Sequence, residues 1–166
     1  MKAILTALTG LIFAAATPSN SHAAEVKTNH YVLTNKALTQ SYSNLVVLGD
    51  VDVTLVQGTS NQLTMEGYQN QLENVTMEVK GNTLYVSTKE KVKGKNPLVY
   101  IPVSNLEYLK VQGNSNVTTL GYLRSNDILI ELASECNVQV KSSGRIAISD
   151  LSAADYVVNE WVVEKI

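Results

Sequence analysis

A repeated eleven-residue pattern is the feature of this chain that most restricts its fold. Three segments superimpose without gaps: 45–55, 109–119 and 130–140. Each has apolar residues at its first, third and ninth positions, and the fifth position holds a small residue: Gly49, Gly113 or Ser134. The last two segments start 21 positions apart, a spacing typical of one coil of a stacked repeat, and a small residue lets the backbone turn at a corner. The pattern therefore predicts a β-solenoid whose inward positions are Val47, Val53, Val111, Val117, Leu132 and Val138.

The rest of the chain also alternates with a period of two, which is the pattern of strands with one buried face. Further strands are predicted around residues 63–65, 75–79, 84–86, 98–101 and 128–130. Turn-forming residues separate them at 57–61, 80–82, 93–97 and 142–144. The nearest helical candidate is short, at 152–155. The sequence predicts an all-β fold. An antiparallel β-sandwich stays open as the alternative to the solenoid, because its hairpins recur at a similar spacing.

The first 23 residues have the three-part pattern of a secretory signal peptide. Met1-Lys2 is a short positive region, residues 3–16 are mostly apolar, and small residues precede a cleavage point after Ala23. The apolar run is shorter than the roughly 20 residues that span a bilayer, and no later segment is long and apolar enough. We therefore expect an exported chain without a transmembrane segment, in which residues 24–166 form a single domain. Its compartment would be the bacterial periplasm or the cell surface.

Charge and cysteine content exclude several classes of protein. The formal net charge is −2, which provides no overall attraction for nucleic acid. Cys136 is the only cysteine, so packing and hydrogen bonds must stabilise the fold without an internal disulfide.

Residues 45–148 resemble the GIN-domain family, whose members are described as putative auto-transporter adhesin heads. The matching segments occur in the family's order: 46–58, 81–86, 99–102 and 111–117. The resemblance implies a β-solenoid-like fold, a location in the cell envelope and no enzymatic activity. The chain departs from the family at the repeated Gly-Ser-Gly corners. Gly113-Asn114-Ser115 keeps only the first glycine, and Ser134-Glu135-Cys136 keeps none.

The sequence offers little from which a catalytic site could be built. His30 is the only histidine after the predicted signal peptide, and it lies in a segment that we expect to be peripheral. Cys136 occupies a repeat position and has no basic neighbour in sequence that would lower its pKa, so a small corner or core residue is expected there. We predict no catalytic, cofactor-binding or metal-binding residues, and the sequence does not identify a ligand-binding residue.

Three other groups of residues are candidates for binding sites. Asp50 and Asp52 flank Val51, but a calcium site needs about six oxygen ligands, and an exposed strand face is favoured. The lysine-rich segment 89–95 is interpreted as a solvated loop rather than a surface for anions. Tyrosines could line a sugar-binding face, because each has a flat apolar ring with a polar tip. The candidates are Tyr68, Tyr85, Tyr100, Tyr108, Tyr122 and Tyr156.

Two functions follow from these observations. The favoured one is a non-catalytic binding or structural module of the cell envelope, with a glycan, a matrix polymer or an envelope protein as partner. The alternative is a small extracytoplasmic hydrolase or lyase acting on polysaccharides, because β-solenoids also carry such enzymes and fold alone does not decide function. A groove that holds several carboxylates, or a carboxylate beside Arg or Lys, would favour the enzyme.

Overall fold

A computed structural model describes residues 29–133 and 136–150. The predicted signal peptide, the third corner residue Ser134, the helical candidate at 152–155 and Tyr156 lie outside the described residues. The strands are β1 (Tyr31–Ala37), β2 (Asn44–Leu48), β3 (Asp52–Gln57), β4 (Gln62–Tyr68), β5 (Val75–Lys80), β6 (Thr83–Thr88), β7 (Leu98–Val103), β8 (Tyr108–Gln112), β9 (Asn116–Leu120), β10 (Asp127–Leu132), β11 (Asn137–Gln139) and β12 (Arg145–Asp150). A single helical turn, α1 (Gln69–Leu72), follows β4. None of the helical structure in these residues is long enough to cross a membrane.

The strands form two six-stranded mixed sheets, and the described residues contain no closed barrel. Sheet A has the order β1-β4-β7-β3-β9-β11, and sheet B has the order β12-β10-β8-β2-β6-β5. From β7 to β12, consecutive strands lie alternately in sheet A and sheet B. Because the chain returns to each sheet running in the same direction, the pairings β9–β11, β8–β10 and β10–β12 are parallel.

The prediction of an all-β fold is confirmed, and two facing sheets are compatible with a sandwich-like arrangement. The sheets are not antiparallel throughout, however. Seven of the ten strand pairings in the described residues are parallel. The antiparallel pairings are confined to β1–β4, β4–β7 and β5–β6, at one end of the two sheets.

The gapless alignment of the three repeated segments agrees with the residue pairing observed between the parallel strands. In sheet B, Val111 pairs with Val47 on one side and with Leu132 on the other. In sheet A, Val117 pairs in the same way with Val53 and Val138. All six positions predicted to point inward are buried. Each one is exposed by 7% or less, so the repeat identified stacked strands correctly.

One apolar core lies between the two sheets, because alternate residues of every central strand point inward. The largest of its fully buried side chains are Leu45, Leu55, Leu63, Leu84, Ile101, Leu106, Leu109, Leu123, Ile128 and Ile130. Burying one aliphatic side chain of this size contributes about 1.5–3 kcal/mol relative to leaving it in water. This core therefore holds the outward faces of the sheets in a fixed register.

Glycine and serine occupy the corners where the chain passes between the sheets. Gly49 and Gly113 have φ angles of +84° and +127°, and the Gly49 N–H donates to the Gln112 carbonyl at 2.8 Å. Ser115 is buried beside them, and its hydroxyl donates to the Gly49 carbonyl at 2.7 Å. Small residues are needed here because a Cβ on Gly113 would meet the backbone of Gly49.

Candidate binding surface

Three tyrosines meet on the outer face of sheet A although they are far apart in sequence. Tyr31 begins β1 and lies directly opposite Tyr68, the last residue of the antiparallel partner β4. Tyr100 lies on β7, the next strand of the sheet, opposite Thr64 of β4. Because successive side chains on a strand point to opposite faces, these positions share the outward face while Leu63, Met65 and Val99 fill the core. The register of β1, β4 and β7 thus assembles the group.

Glu66 lies at the centre of these tyrosines. Its carboxylate accepts a hydrogen bond from the Tyr31 hydroxyl at 2.8 Å and another from the Tyr100 hydroxyl at 3.3 Å. The Tyr31 and Tyr68 rings are in edge-to-face contact, with centroids 5.4 Å apart and planes at 90°. Such pairs add about 0.5–1.5 kcal/mol to the burial of their surface. The contacts hold the three rings and the carboxylate in one arrangement.

The carboxylate also favours the neutral form of its two phenol donors. The hydrogen bond to Glu66 raises the pKa of Tyr31, and partial burial together with the charge of Glu66 raises the pKa of Tyr100. Both phenols are therefore protonated at neutral pH and act as donors to Glu66. The carboxylate has about four lone-pair positions, so acceptor capacity remains on its solvent side.

The same surface is unusually apolar for an outward face. Tyr31 is 49% exposed, Tyr68 is 43% exposed, and Leu33, which pairs with Glu66 across the two strands, is 65% exposed. We call the set Tyr31, Leu33, Glu66, Tyr68 and Tyr100 the tyrosine face. A contiguous exposed apolar patch with polar groups at its edge is typical of a binding site.

Sequence reasoning identified Tyr68 and Tyr100 as possible members of a sugar-binding face but did not single out Tyr31, Leu33 or Glu66. The other candidate tyrosines in the described residues lie elsewhere. Tyr85 and Tyr108 point outward from sheet B, and Tyr122 follows β9. Residues 31–37 run as three apolar residues followed by three polar ones, so their sequence carries no alternation that could have placed Tyr31 and Leu33 on one face of a strand.

Asp50 and Asp52 have structural partners. Asp50 lies in the turn before β3 rather than on the strand, and its carboxylate accepts from the Val92 N–H at 3.0 Å. Asp52 Oδ1 accepts from the side-chain amides of Asn96 and Asn116 at 3.1 and 3.2 Å, and from the Asn116 N–H at 3.0 Å. These carboxylates fix neighbouring turns and strands. No group of metal-ligating side chains occurs within residues 29–133 and 136–150.

His30 and Cys136 lie at opposite edges of sheet A. His30 precedes β1, is exposed, and uses its backbone carbonyl to accept from the Gln69 N–H at 2.9 Å. Cys136 precedes β11 and packs, partly buried, against the core. Since β1 and β11 are the two outermost strands of this sheet, the pair does not form a Cys–His site.

The lysine-rich segment connects β6 to β7 and exposes all four of its lysines, as expected of a solvated loop. Hydrogen bonds from the side chain of Gln71 to its backbone hold this segment in place. The Gln71 side-chain amide donates to the carbonyls of Lys93 and Lys95 at 3.4 and 3.1 Å.

A concave surface lies at the corner beside β12. This depression of about 640 Å³ is lined by Asn105, Glu107, Asn126, Asp127, Leu129 and Arg145, among others. Arg145 Nε contacts Asp127 Oδ1 at 2.7 Å, but these side chains are 80% and 63% exposed. Glu107 accepts from Ser43 Oγ and Asn105 Nδ2, both at 3.1 Å. A solvated ion pair of this kind contributes at most about 1 kcal/mol.

A family model described as "Putative auto-transporter adhesin, head GIN domain" matches residues 41–156. The chain belongs to this GIN-domain family. The resemblance based on residues 45–148 is therefore confirmed, and the match extends beyond it at both ends. No curated protein matches the sequence.

Solved structures of similar fold include a putative adhesin from Parabacteroides distasonis, with a TM-score of 0.62 and 20% identity over 74% of this chain and 54% of that one. Another is a putative adhesin from Parabacteroides merdae, with a TM-score of 0.61 and 19% identity over 72% of this chain and 51% of that one. A third, from Bacteroides fragilis, has a TM-score of 0.52 and 20% identity over 73% of this chain and 62% of that one. This chain spans about half the length of the first two. At about 20% identity, these similarities show a shared fold and nothing more specific.

Proposed function

We propose that this GIN-domain chain is an exported, non-catalytic binding module of the bacterial cell envelope with an adhesin-like role. The observation that carries the proposal is the tyrosine face, an exposed aromatic surface that the register of three strands holds rigidly. Family membership supports it, because the family is described as an adhesin head. Rigid tyrosines provide a large contact area at a low cost in conformational entropy, which suits a surface that binds without chemistry.

The fold proposed for this module is a short β-solenoid. Five stacked layers support it: β6–β7, β2–β3, β8–β9, β10–β11 and β12, which follow one another through the two sheets. The antiparallel strands β1, β4 and β5 would close the end of the stack next to β6–β7. An adhesin gains from such a fold because stacking repeats yields flat, extended outer faces.

The proposed location is the periplasm or the cell surface, after removal of residues 1–23. The pattern of charged, apolar and small residues at the start of the chain supports it. N-terminal sequencing of the exported protein should give Ala24 or Glu25 as the first residue. Recovery of intact Met1 would contradict export by this route.

A binding assay on bacterial envelope fractions tests the function. The chain exported by a bacterial host should sediment with the fractions, and the double variant Tyr31→Ala/Tyr68→Ala should lose most of this binding. Tyr85→Ala is the matched control, because Tyr85 lies on the outer face of sheet B. Equal binding by the double variant and the unmodified chain, with native circular dichroism in both, would contradict the assignment of the tyrosine face.

The alternative function, a polysaccharide hydrolase or lyase, would be assigned to the corner depression. The corner depression combines Glu107 and Asp127 with Arg145. Glycoside hydrolysis commonly uses two carboxyl groups, one of them with a raised pKa in an apolar environment. Asp127 beside Arg145 is the arrangement that would favour an enzyme, but these side chains are 63% and 80% exposed and so lack an apolar environment. The binding module is therefore the better supported function.

A further inference from the structure

We infer that the tyrosine face binds a neutral glycan, with the apolar side of a sugar ring stacked on Tyr68 beside the perpendicular ring of Tyr31, and its hydroxyl groups donating to Glu66. This inference rests on the proposed function, because it specifies the ligand class of the same surface. Tyr31 and Tyr68 stay partly exposed to solvent within the described residues. Their apolar rings beside a carboxylate complement a sugar, which also has an apolar and a polar part. A pyranose ring has one face of C–H groups and a rim of hydroxyls.

The outward side of β1 in the site is extended. Tyr31, Leu33 and Asn35 follow one another along the outward side of β1, and their Cα atoms span about 13 Å at roughly 3.3 Å per residue. Within the described residues β1 is the edge strand of sheet A, so a linear chain can lie along it without meeting another of the described strands. The length suits a short oligosaccharide rather than a single small metabolite.

The polar half of the site is prepared for hydroxyl groups. Two phenols hold Glu66 in place, so its remaining acceptor positions are fixed before a ligand arrives. One strand position further along, the Asn35 side-chain oxygen accepts from Thr64 Oγ1 at 2.9 Å, which leaves the exposed amide nitrogen as a donor. The Glu66 carboxylate as acceptor and the Asn35 amide as donor, placed beside aromatic rings, can fix a sugar in one orientation.

The negative charge of Glu66 favours binding of neutral glycans over acidic ones. Glu66 is the one ionisable group of the tyrosine face with a charge at neutral pH, so a uronic acid or sulfate would be repelled. The lysine nearest in sequence, Lys36, belongs to the opposite side of β1, and its Nζ donates to the Met77 carbonyl at 3.4 Å. The set of residues that defines the tyrosine face contains no lysine or arginine, so none of its own side chains compensates an acidic ligand.

A cationic ligand is disfavoured by the geometry of the rings. Aromatic cages for ammonium groups need ring faces that enclose an open space, with the cation within about 6 Å of each centroid. Tyr31 and Tyr68 are in direct edge-to-face contact, with centroids 5.4 Å apart. That contact fills the space which a quaternary ammonium group would occupy between them.

Isothermal titration of the exported chain tests the inference. The probes are neutral oligosaccharides (cello-, chito- and manno-oligosaccharides), oligogalacturonate as the acidic glycan, and choline as the cation. We expect at least one neutral series to bind and the other two probes not to bind. Tyr68→Ala should weaken binding by about tenfold or more, equivalent to about 1.4 kcal/mol. Tyr68→Phe should change it by less than about threefold, because its ring is retained.

Two further variants define the polar half of the site. Glu66→Gln should weaken binding of the neutral glycan, whereas Tyr85→Ala on sheet B should leave it unchanged. Binding of oligogalacturonate or choline in preference to every neutral series would overturn the inference. So would failure of all neutral series when the envelope fractions still bind through Tyr31 and Tyr68, and in that case the proposed function would survive. Failure of both assays would overturn the proposed function as well.

Discussion

On the outer face of sheet B, the hydroxyl of Tyr108 donates to Glu131 Oε2 at 2.6 Å, and Lys110 Nζ lies 3.5 Å from the same oxygen. Partial burial, followed by the hydrogen bond to Glu131, raises the pKa of Tyr108 to about 12. Phenols in an unfolded chain titrate near pH 10. The folded state therefore favours the protonated phenol, and Tyr108 contributes to a dependence of stability on pH in the alkaline range.

The free energy of unfolding should fall as the pH rises from about 10 to about 12. The contribution of Tyr108 is complete below the unfolded pKa, declines above it, and is lost once the pH passes the folded pKa. Tyr108→Phe should be less stable at pH 8, because Glu131 loses a donor, but should show a smaller decline between pH 10 and 12. Urea denaturation at several pH values measures both quantities. Equal declines in the variant and the unmodified chain would contradict the role of Tyr108.

At the level of single residues, the sequence predicted burial better than it predicted the binding surface. The aligned repeat places Val111 and Val117 inward, because the apolar positions of a single strand determine which of its sides is buried. The tyrosine face required the register of three strands. Tyr31, Tyr68 and Tyr100 become neighbours only after β1 pairs with β4 and β4 with β7, and no local pattern encodes those pairings.

The corner between β8 and β9 depends on the backbone of a single glycine. Gly113 has φ +127°, and a Cβ there would collide with the backbone of Gly49 in the adjacent layer. Gly113→Ala should destabilise the fold by about 2 kcal/mol or more, because it combines an unfavourable φ with a steric conflict against backbone atoms.

Gly94→Ala is the matched control for this change. Gly94 also has a positive φ, +87°, but a Cβ at this position would meet nothing within 4 Å, so only the backbone strain of about 1 kcal/mol is expected. Chemical denaturation of both variants gives the comparison. Similar losses at the two positions would show that stacking on Gly49 contributes nothing.

Substitution of Val111 tests whether the repeated strands stabilise the fold, because Val111 lies between Val47 and Leu132 in the middle of sheet B. It is fully buried, so Val111→Ala should cost about 1 to 3 kcal/mol, the lower part of the range for removing buried aliphatic groups. Leu120→Ala, at a position 65% exposed on β9, should change stability by less than about 0.5 kcal/mol. Urea denaturation distinguishes the two, and equal losses would mean that the buried ladder is not the source of stability.

The repeat predicted which strands stack but not the order of all the layers. The segments 45–55, 109–119 and 130–140 are neighbours in space, as their alignment indicates. The pair β2–β3, however, lies between β6–β7 and β8–β9, although it precedes both in sequence. Consecutive layers need not be consecutive in the chain, so spacing alone could not predict this insertion. The antiparallel β1–β4–β7 edge, which carries the tyrosine face, was likewise not predicted.

At the scale of the whole molecule, the titratable groups of the described residues that were candidates for catalysis lie far apart or have structural partners. His30 and Cys136 lie beside opposite edges of sheet A, and five strand spacings of about 4.8 Å put roughly 24 Å between those edges. Glu66 and Asp52 share the outer face of sheet A, but Leu98 of β7 lies between them. Asp52 is also occupied by three hydrogen bonds.

The last prediction is that the exported chain turns over no substrate in a broad screen of glycans, peptides and esters. General acid–base catalysis near neutral pH uses histidine, or a carboxyl or amino group whose pKa is moved by burial and neighbours. The described residues contain one histidine, exposed at the edge of a sheet, and the carboxylates of the corner depression are open to solvent or hydrogen-bonded to Ser43 and Asn105. His30→Ala and Cys136→Ala should therefore bind envelope fractions as the unmodified chain does. Turnover that disappears in His30→Ala, Asp52→Ala or Glu107→Gln would show that the molecule is an enzyme and would identify the group responsible.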